Sequence, residues 1–330
     1  MILDFPVNIT RKTVAVSERG FGTILILDTE TEREFEYLDS KNLDKLGSGK
    51  AKKIADRLFM QKPQPQEVAI VGQVGKASEV FKKALDANKD FFFVVCTDNS
   101  AEAIKALSDQ CQVNNKIYAV TVNDIAEAKA LKGVGDNTFV GFHDDADSYL
   151  AEGLAVIMSY NIGGKTAKFK QIQGVDEANI SLTDMKDLDG KNIFTYVKKL
   201  GVLQTTEGKM LSGEYIDIVL GEYWIRFRME ERMQRLAITQ DKIPYTNRGI
   251  AMLVSVAEQV LNQAVDMGII EAGQYKVDYR KREDVPSNDV ALRKYDYIVW
   301  TAMLQGAIHS GQISGILTYD LVNKEEEVEE

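Results

Sequence analysis

The feature that most constrains this chain is a fourfold recurrence between residues 67 and 142. Apolar runs at 67–71, 91–96, 117–122 and 138–142 are separated by stretches with helical spacing at about 76–88, 100–112 and 124–132. A strand, helix, strand order with short connections predicts a small open α/β sheet. The pattern changes on either side. Residues 7–38 read as strands, with Val14 and Val16 alternating with polar neighbours and Gly20-Phe21-Gly22 punctuating before 23–27. A short helix is expected over 50–60, then Lys62-Pro63-Gln64-Pro65 marks a connection. Another helix is expected at about 146–160, where Leu150, Leu154, Ile157 and Met158 recur.

Beyond 160 the reading is α+β. Strand-like segments at 166–172, 193–198 and 201–206 precede two long helices, about 219–238 and 247–268. The first is dense in charge. The second is amphipathic, with Ile250, Leu253, Ala257, Val260, Leu261 and Ala264 on one stripe and Glu258, Asn262 and Asp266 opposite. Strand runs at 296–304 and 312–322 flank His309-Ser310-Gly311. The predicted fold is therefore α+β with an inserted small α/β domain. Its expected segments are 21–64 with 161–311 as core, 65–160 as insertion, and 1–20, 312–323 and 324–330 as terminal pieces.

Little material for catalysis is present. Two histidines, His143 and His309, leave no obvious triad or histidine metal site, and two cysteines, Cys96 and Cys111, fit a reducing compartment better than a disulfide framework. The longest apolar run, 91–96, is far short of the ~20 residues that cross a bilayer. The N-terminal residues lack a signal-peptide pattern. A net charge of −10 argues against nucleic-acid binding. Part of that charge is local: residues 324–330 hold one Lys and five Glu, and are expected to be a solvated tail.

Three glycine-containing stretches invite comparison with phosphate loops. Gly72-Gln73-Val74-Gly75 has two glycines where a dinucleotide loop needs three, and reads as a turn. Gly163-Gly164-Lys165-Thr166 has Ser159 where the first glycine of a phosphate loop belongs, and Gly47-Ser48-Gly49-Lys50 has Asp44 there. His143-Asp144-Asp145, with Asp147, follows the fourth strand. Capping of the next helix is the expected role, with Mg²⁺ or Ca²⁺ binding as the alternative. Cys96 reads as inert core. No catalytic, cofactor-binding or metal-ligating residue is assigned.

The ends carry a different signal. Ile2, Leu3, Phe5, Val7 and Ile9 make an apolar N-terminal stretch. Ile313, Leu317, Tyr319 and Leu321 share one face of the last expected strand, with Ile316 on the other. Such strand-prone ends either pair within their own sheet or add to the sheet edge of a neighbouring copy.

The C-terminal half resembles the tail sheath proteins of contractile bacteriophages and related phage-tail-like particles. The likeness is carried by GKMLSGEYIDIVLG at 208–221, EYWIRFRMEERMQRLAI at 222–238, KIPYTNRGIAMLVSVAEQVLNQAVDMGII at 242–270 and GAIHSGQISGILTY at 306–319. NIGGKTAKFKQIQGV at 161–175 and ERGFGTILIL at 18–27 are also similar to sheath segments. The resemblance implies a non-enzymatic structural subunit, without cofactor, that assembles in the host bacterial cytoplasm and resides in the virion tail. Such subunits stack with copies of themselves as hexameric rings in a helical sheath around a tail tube protein, and meet baseplate and tail terminator proteins, with no nucleic acid or membrane partner. It implies a C-terminal sheath domain with extended N- and C-terminal β arms that complete neighbours' sheets. The arm candidates are Ile2, Leu3, Phe5, Val7, Ile9, Ile313, Ile316, Leu317 and Tyr319. The charged helix with Arg226, Arg228, Glu231 and Arg235 is the candidate tube-facing element. The competing expectation is a cytosolic α/β protein that binds a nucleotide or small ligand at 67–145.

Overall fold

The computed structural model describes residues 20–131, 134–315 and 317. Its centre is an eight-stranded mixed sheet in the order β2-β3-β1-β4-β5-β6-β7-β8. The strands are β1 Ile24–Asp28, β2 Arg33–Leu38, β3 Val68–Gly72, β4 Phe93–Cys96, β5 Ile117–Val122, β6 Thr138–Phe142, β7 Phe194–Lys199 and β8 Val202–Thr205. From β3 to β7 every neighbouring pair is parallel, and β2 and β8 close the two edges antiparallel. Strands buried on both faces read as unbroken apolar runs, which is why β3, β4, β5 and β6 are visible in the sequence.

Alternate residues along each strand face opposite layers. Leu25, Leu27, Val71, Val94, Tyr118 and Val140 point to one core, covered by α2 Ala77–Ala87 and α3 Ala101–Val113. Ile24, Ile26, Ile70, Val95, Ala119 and Phe139 point to the other. That second face is covered by α1 Lys50–Met60, α5 Leu150–Met158, α7 Ile216–Thr239 and α8 Asn247–Asp266. Two shorter helices, α4 Ile125–Ala130 and α6 Leu182–Asp189, lie on the first side.

This arrangement corrects the expected insertion. The sheet does not divide at residue 65: β1, from the segment read as core, lies between β3 and β4 of the segment read as insertion. The physical reason is coverage. The helices after β3 and β4 shield one face only, so the opposite apolar face needs α7 and α8. Phe21 stacks on Phe227 of α7 at 5.8 Å and meets Phe92 edge-on at 4.6 Å, joining the N-terminal, middle and C-terminal segments in one core.

Two further expectations differ from the structure. Residues 166–172 form no strand; Phe169 sits at φ +62°, and Thr205 holds the segment through its hydroxyl and backbone. A strand absent from the sequence reading, β9 Ile270–Tyr279, pairs antiparallel with β10 Ile298–Leu304 in a separate two-stranded sheet. Residues 312–315 of the expected last strand have no strand pairing among the described residues, and the remainder of 312–322 lies almost wholly outside them. The N-terminal arm candidates also lie outside them. Among the described residues, no helix is long and apolar enough to cross a membrane.

Candidate assembly surface

The α7–α8–β9–β10 unit is built around one helix pair. Helix α8 is capped by Thr246, whose hydroxyl accepts the Gly249 N–H at 3.4 Å, and buries Ile250, Val254, Ala257, Val260, Leu261 and Ala264. Gly249 must be glycine, because a Cβ there would lie 1.9 Å from the Pro244 carbonyl oxygen. Helix α7 buries Trp224, Phe227, Arg228 and Glu231, a stripe at helical spacing. Arg228 and Glu231 are therefore not part of a solvated face. They form a buried pair, with Arg228 Nη1 donating to Glu231 Oε2 at 2.6 Å.

The two other charged candidates of α7 lie nearer the surface. Arg226 donates to Asn115 Oδ1 at 2.9 Å and stacks over Tyr223 at 4.7 Å. Arg235 is half-buried and lines a groove between α7 and α8. The arginines of this helix thus divide among a core pair, a surface stack and a groove.

Past α8, Gly268 at φ +81° turns the chain into β9. Tyr275 and Val277 pack toward the core, and Tyr275 reaches Asn262 of α8 at 2.7 Å. β10 lies beside it in register, Trp300 opposite Val277 and Ala302 opposite Tyr275. As a two-stranded sheet it leaves one backbone edge of each strand without a strand partner among the described residues. Val299, Trp300, Met303 and Leu304 are exposed around it. Open edges and uncovered apolar side chains on so small a sheet are features on which a further strand can pair.

The segment after β10 is tied down at two points. Gln305 N–H donates to the Ile269 carbonyl, and His309 is held by three elements. Its Nδ1 lies 2.8 Å from Glu207 Oε1, its Nε2 lies 2.6 Å from Thr166 Oγ1, and Tyr215 meets the ring edge-on at 4.8 Å. Lys168 completes the cluster with Glu207 at 3.2 Å. The side chain of His309 is 11% exposed, whereas Ile308, Ile313 and Leu317 are almost fully exposed. The clasp fixes where the chain leaves the body. Sequence reading missed it because Thr166, Glu207 and His309 lie far apart along the chain.

The places where an α/β sheet would hold a ligand are occupied by the chain itself. In the Gly72–Gly75 turn, Gln73 and Gly75 donate to the carbonyls of Asp28 and Thr29, and Val74 donates to Glu32 Oε1. The backbone N–H groups of this turn are thus satisfied within the chain. Gly163, at φ +83°, is required by close approach to the residue before β9: a Cβ would lie 2.3 Å from Ile269 Cγ1.

The aspartates after β6 do not cap α5, against expectation. Asp144 accepts from Asn179 N at 2.8 Å, Asp145 from Asp147 N at 2.9 Å, and Asp147 pairs with Lys53 at 2.5 Å. The Thr121 hydroxyl instead accepts the first-turn Ala151 N–H of α5 at 2.9 Å. Among the described residues, no His, Cys, Asp and Glu cluster suits a metal. Cys96 is 1% exposed, and burial pushes its thiol up to about 12.

Comparison with known proteins converges on the same unit. Residues 216–282 match the family described as E217 tail sheath protein gp31-like, C-terminal domain. Two solved structures share the fold over nearly the whole chain. One is the anti-feeding prophage baseplate in six-fold symmetrised form, with TM-score 0.70, 11% identity, and 95% of this chain and 98% of that chain covered. The other is the anti-feeding prophage helical sheath in its contracted state, with TM-score 0.65, 9% identity, and 97% and 100% covered. A comparison with curated proteins gives no match. The resemblance drawn from the sequence therefore stands: this chain is similar to contractile tail sheath proteins, and residues 216–282, from α7 through β9 and the turn beyond it, match that family's C-terminal domain.

Proposed function

We propose that this protein is the structural sheath subunit of a contractile tail, from a phage, prophage or phage-tail-like particle. The observation that carries the reading is the sheath C-terminal family match at 216–282, on the same unit that leaves the β9–β10 edges open. In this reading subunits polymerise as stacked hexameric rings around a tail tube. The apolar ends, Ile2, Leu3, Phe5, Val7 and Ile9 at the start and Ile313, Ile316, Leu317 and Tyr319 at the end, add as strands to the β9–β10 sheets of neighbours. Main-chain hydrogen bonds then supply affinity without a preformed pocket.

Contraction is a relaxation of the lattice into more extensive contacts and uses no bound nucleotide. Arg226 and Arg235 are the better tube-facing candidates, since Arg228 and Glu231 are buried inside the subunit. Baseplate and tail terminator proteins are the partners at the two ends of the sheath, and assembly takes place in the host bacterial cytoplasm. Negative-stain microscopy of purified protein tests the reading. Rings or tubes of uniform width are expected; discrete particles at all concentrations, together with micromolar heat of binding for ATP or NAD, would move the assignment to the small-ligand class.

A further inference from the structure

The β7–β8 hairpin ends in a turn that the chain holds against its own conformational preference. Leu200 and Gly201 form the turn, at φ +50° and φ +83°, with Lys199 paired to Val202 beneath them. Two-residue hairpin turns with positive φ at both positions favour Asn-Gly or Asp-Gly. A leucine there carries steric strain that asparagine largely avoids. Among the described residues nothing covers it: Leu200 is 104% exposed, and its neighbour Val202 is 48% exposed. The tip also stands clear of the parallel sheet, since β6 pairs with β7 only at Phe194 and Thr195. A strained apolar residue left wholly in solvent points to a contact outside its own subunit.

A recess that suits such a tip lies beside the same hairpin. It measures about 650 Å³ and is lined by residues 171–177 and, from the hairpin, by Tyr196, Lys198 and 201–203. Its wall is fixed by hydrogen bonds within the subunit. The Tyr196 hydroxyl accepts the Ile172 N–H at 3.0 Å, the Tyr196 carbonyl accepts the Ala178 N–H at 2.8 Å, and Gln61 Oε1 accepts the Gln173 N–H at 3.0 Å. Val202 and Leu203 give the recess apolar surface. Among the described residues, its lining holds two carboxylates, Asp176 and Glu177, and one cation, Lys198. The tip has the opposite balance: Lys198-Lys199-Leu200-Gly201-Val202 carries two positive charges and no acid. Lys199 also lies in the field of Asp189 of its own chain, so charge orients the match and Leu200 drives it.

We infer that the β7–β8 tip seats in this recess on a second copy of the chain, with Leu200 against Val202 and Leu203 and Lys199 toward Asp176 and Glu177. Knob and recess share one hairpin, so the surface is self-complementary, the property by which identical subunits join. The inference rests on this surface alone and stands whether or not the assembly is a sheath.

Two measurements on the full-length protein test it. Leu200→Asn relieves the turn and removes the knob. It should raise the folding equilibrium constant about fivefold in urea unfolding. The same variant should weaken self-association about tenfold in sedimentation. A leucine with only a structural role would not move the two readings in opposite directions. In the second measurement Leu200→Cys is combined with Gln171→Cys on the recess wall. Cys96 and Cys111 are buried and do not compete. Mild oxidation should link position 200 of one chain to position 171 of another, as mapped by mass spectrometry. That link should form about tenfold faster than in a control pair, Leu200→Cys with the exposed Val113→Cys of α3. A parent that stays monomeric at all concentrations, unchanged association or lower stability in Leu200→Asn, a disulfide within one chain, or a rate equal to the control would each overturn the inference.

Discussion

Glu152 and Thr121 make a two-point contact inside the sheet–helix interface. Glu152 Oε1 accepts the Thr121 backbone N–H at 3.0 Å, and the Thr121 hydroxyl donates to Oε2. The same hydroxyl accepts the Ala151 N–H, so one side chain binds both the start of α5 and its buried carboxylate. The contact sits at the end of β5 in the parallel sheet, where such folds open toward ligands. Here the chain's own carboxylate fills the position.

Burial raises the Glu152 carboxyl above its ordinary value, opposed by the hydrogen bonds from Thr121 and by Arg57. A carboxyl raised in the folded state binds a proton that the unfolded chain has already released. Its contribution is fully present below the unfolded value and is lost as pH rises through the folded one. Glu152→Gln removes this dependence. The melting temperature of the variant relative to the parent should therefore shift in favour of the variant between about pH 4 and about pH 8. A difference that stays constant across that range would show that Glu152 does not titrate as its burial requires.

The Arg228–Glu231 pair offers a second check. Removing one partner takes an opposite charge from beside the other inside the core, so Arg228→Met should cost about 3 kcal/mol in urea unfolding. The double variant Arg228→Met with Glu231→Leu should recover most of that loss, since apolar groups of similar volume need no charge partner there. A surface pair would instead show single-variant costs below about 1 kcal/mol.

What the sequence discloses and what it hides follow from the range of each signal. The expected strand at 117–122 coincides with β5, because its residues are buried on both faces and leave an apolar run. α8 was legible through the periodicity of Ile250, Ala257, Val260 and Ala264. β9 carries no apolar run: Tyr275, Val277 and Tyr279 alternate with Lys276 and Asp278 in a half-exposed pattern, a weaker signal than a buried strand leaves. Residues 166–172 misled in the opposite sense. Ala167 and Ile172 are buried, but between them the chain turns at Phe169 and takes its hydrogen bonds from Thr205. The insertion failed for a larger reason: which helices cover the second sheet face is decided by contacts such as Phe21 with Phe227, more than 200 positions apart. Arg228 and Glu231 share that lesson, since i,i+3 spacing suits a solvated pair and a buried one equally.

Gly163 predicts a sharp local effect. Its positive φ and its approach to Ile269 both exclude a side chain. Gly163→Ala should lower stability by about 2 kcal/mol in thermal or urea unfolding, because strain and overpacking act together. Gly311, which has open space around it, serves as the control, and Gly311→Ala should change stability by less than about 0.5 kcal/mol.

The His309 clasp predicts a separation of stability from attachment. His309→Ala removes the contacts to Glu207 and Thr166 but leaves both half-exposed to water, so the global cost should be about 1–2 kcal/mol. Local opening should change far more. Limited proteolysis within 305–317 should accelerate about tenfold while the core fragment stays intact. Unchanged cleavage would mean that Gln305 and the β10 pairing alone hold this segment.

Strand addition at the open edges of β9 and β10 can be tested without disturbing the core. Met303 is exposed and lies on β10, outside the set that packs against α8. Val299 is likewise exposed on the same strand, two ladder positions from Thr301. Lysine at both positions keeps the internal β9–β10 pairing, yet places charge where an added strand would lie, a device that blocks strand addition in natural edges. The variant should melt within a few degrees of the parent and fail to form rings or tubes in negative stain. Deleting residues 1–10 should give the same phenotype from the donor side, because strand addition needs both the edge and the strand that covers it. If the deletion unfolds the subunit, residues 1–10 belong to its own core. If the lysine variant polymerises normally, the β9–β10 edge is not where neighbours join, and the open edges have another purpose.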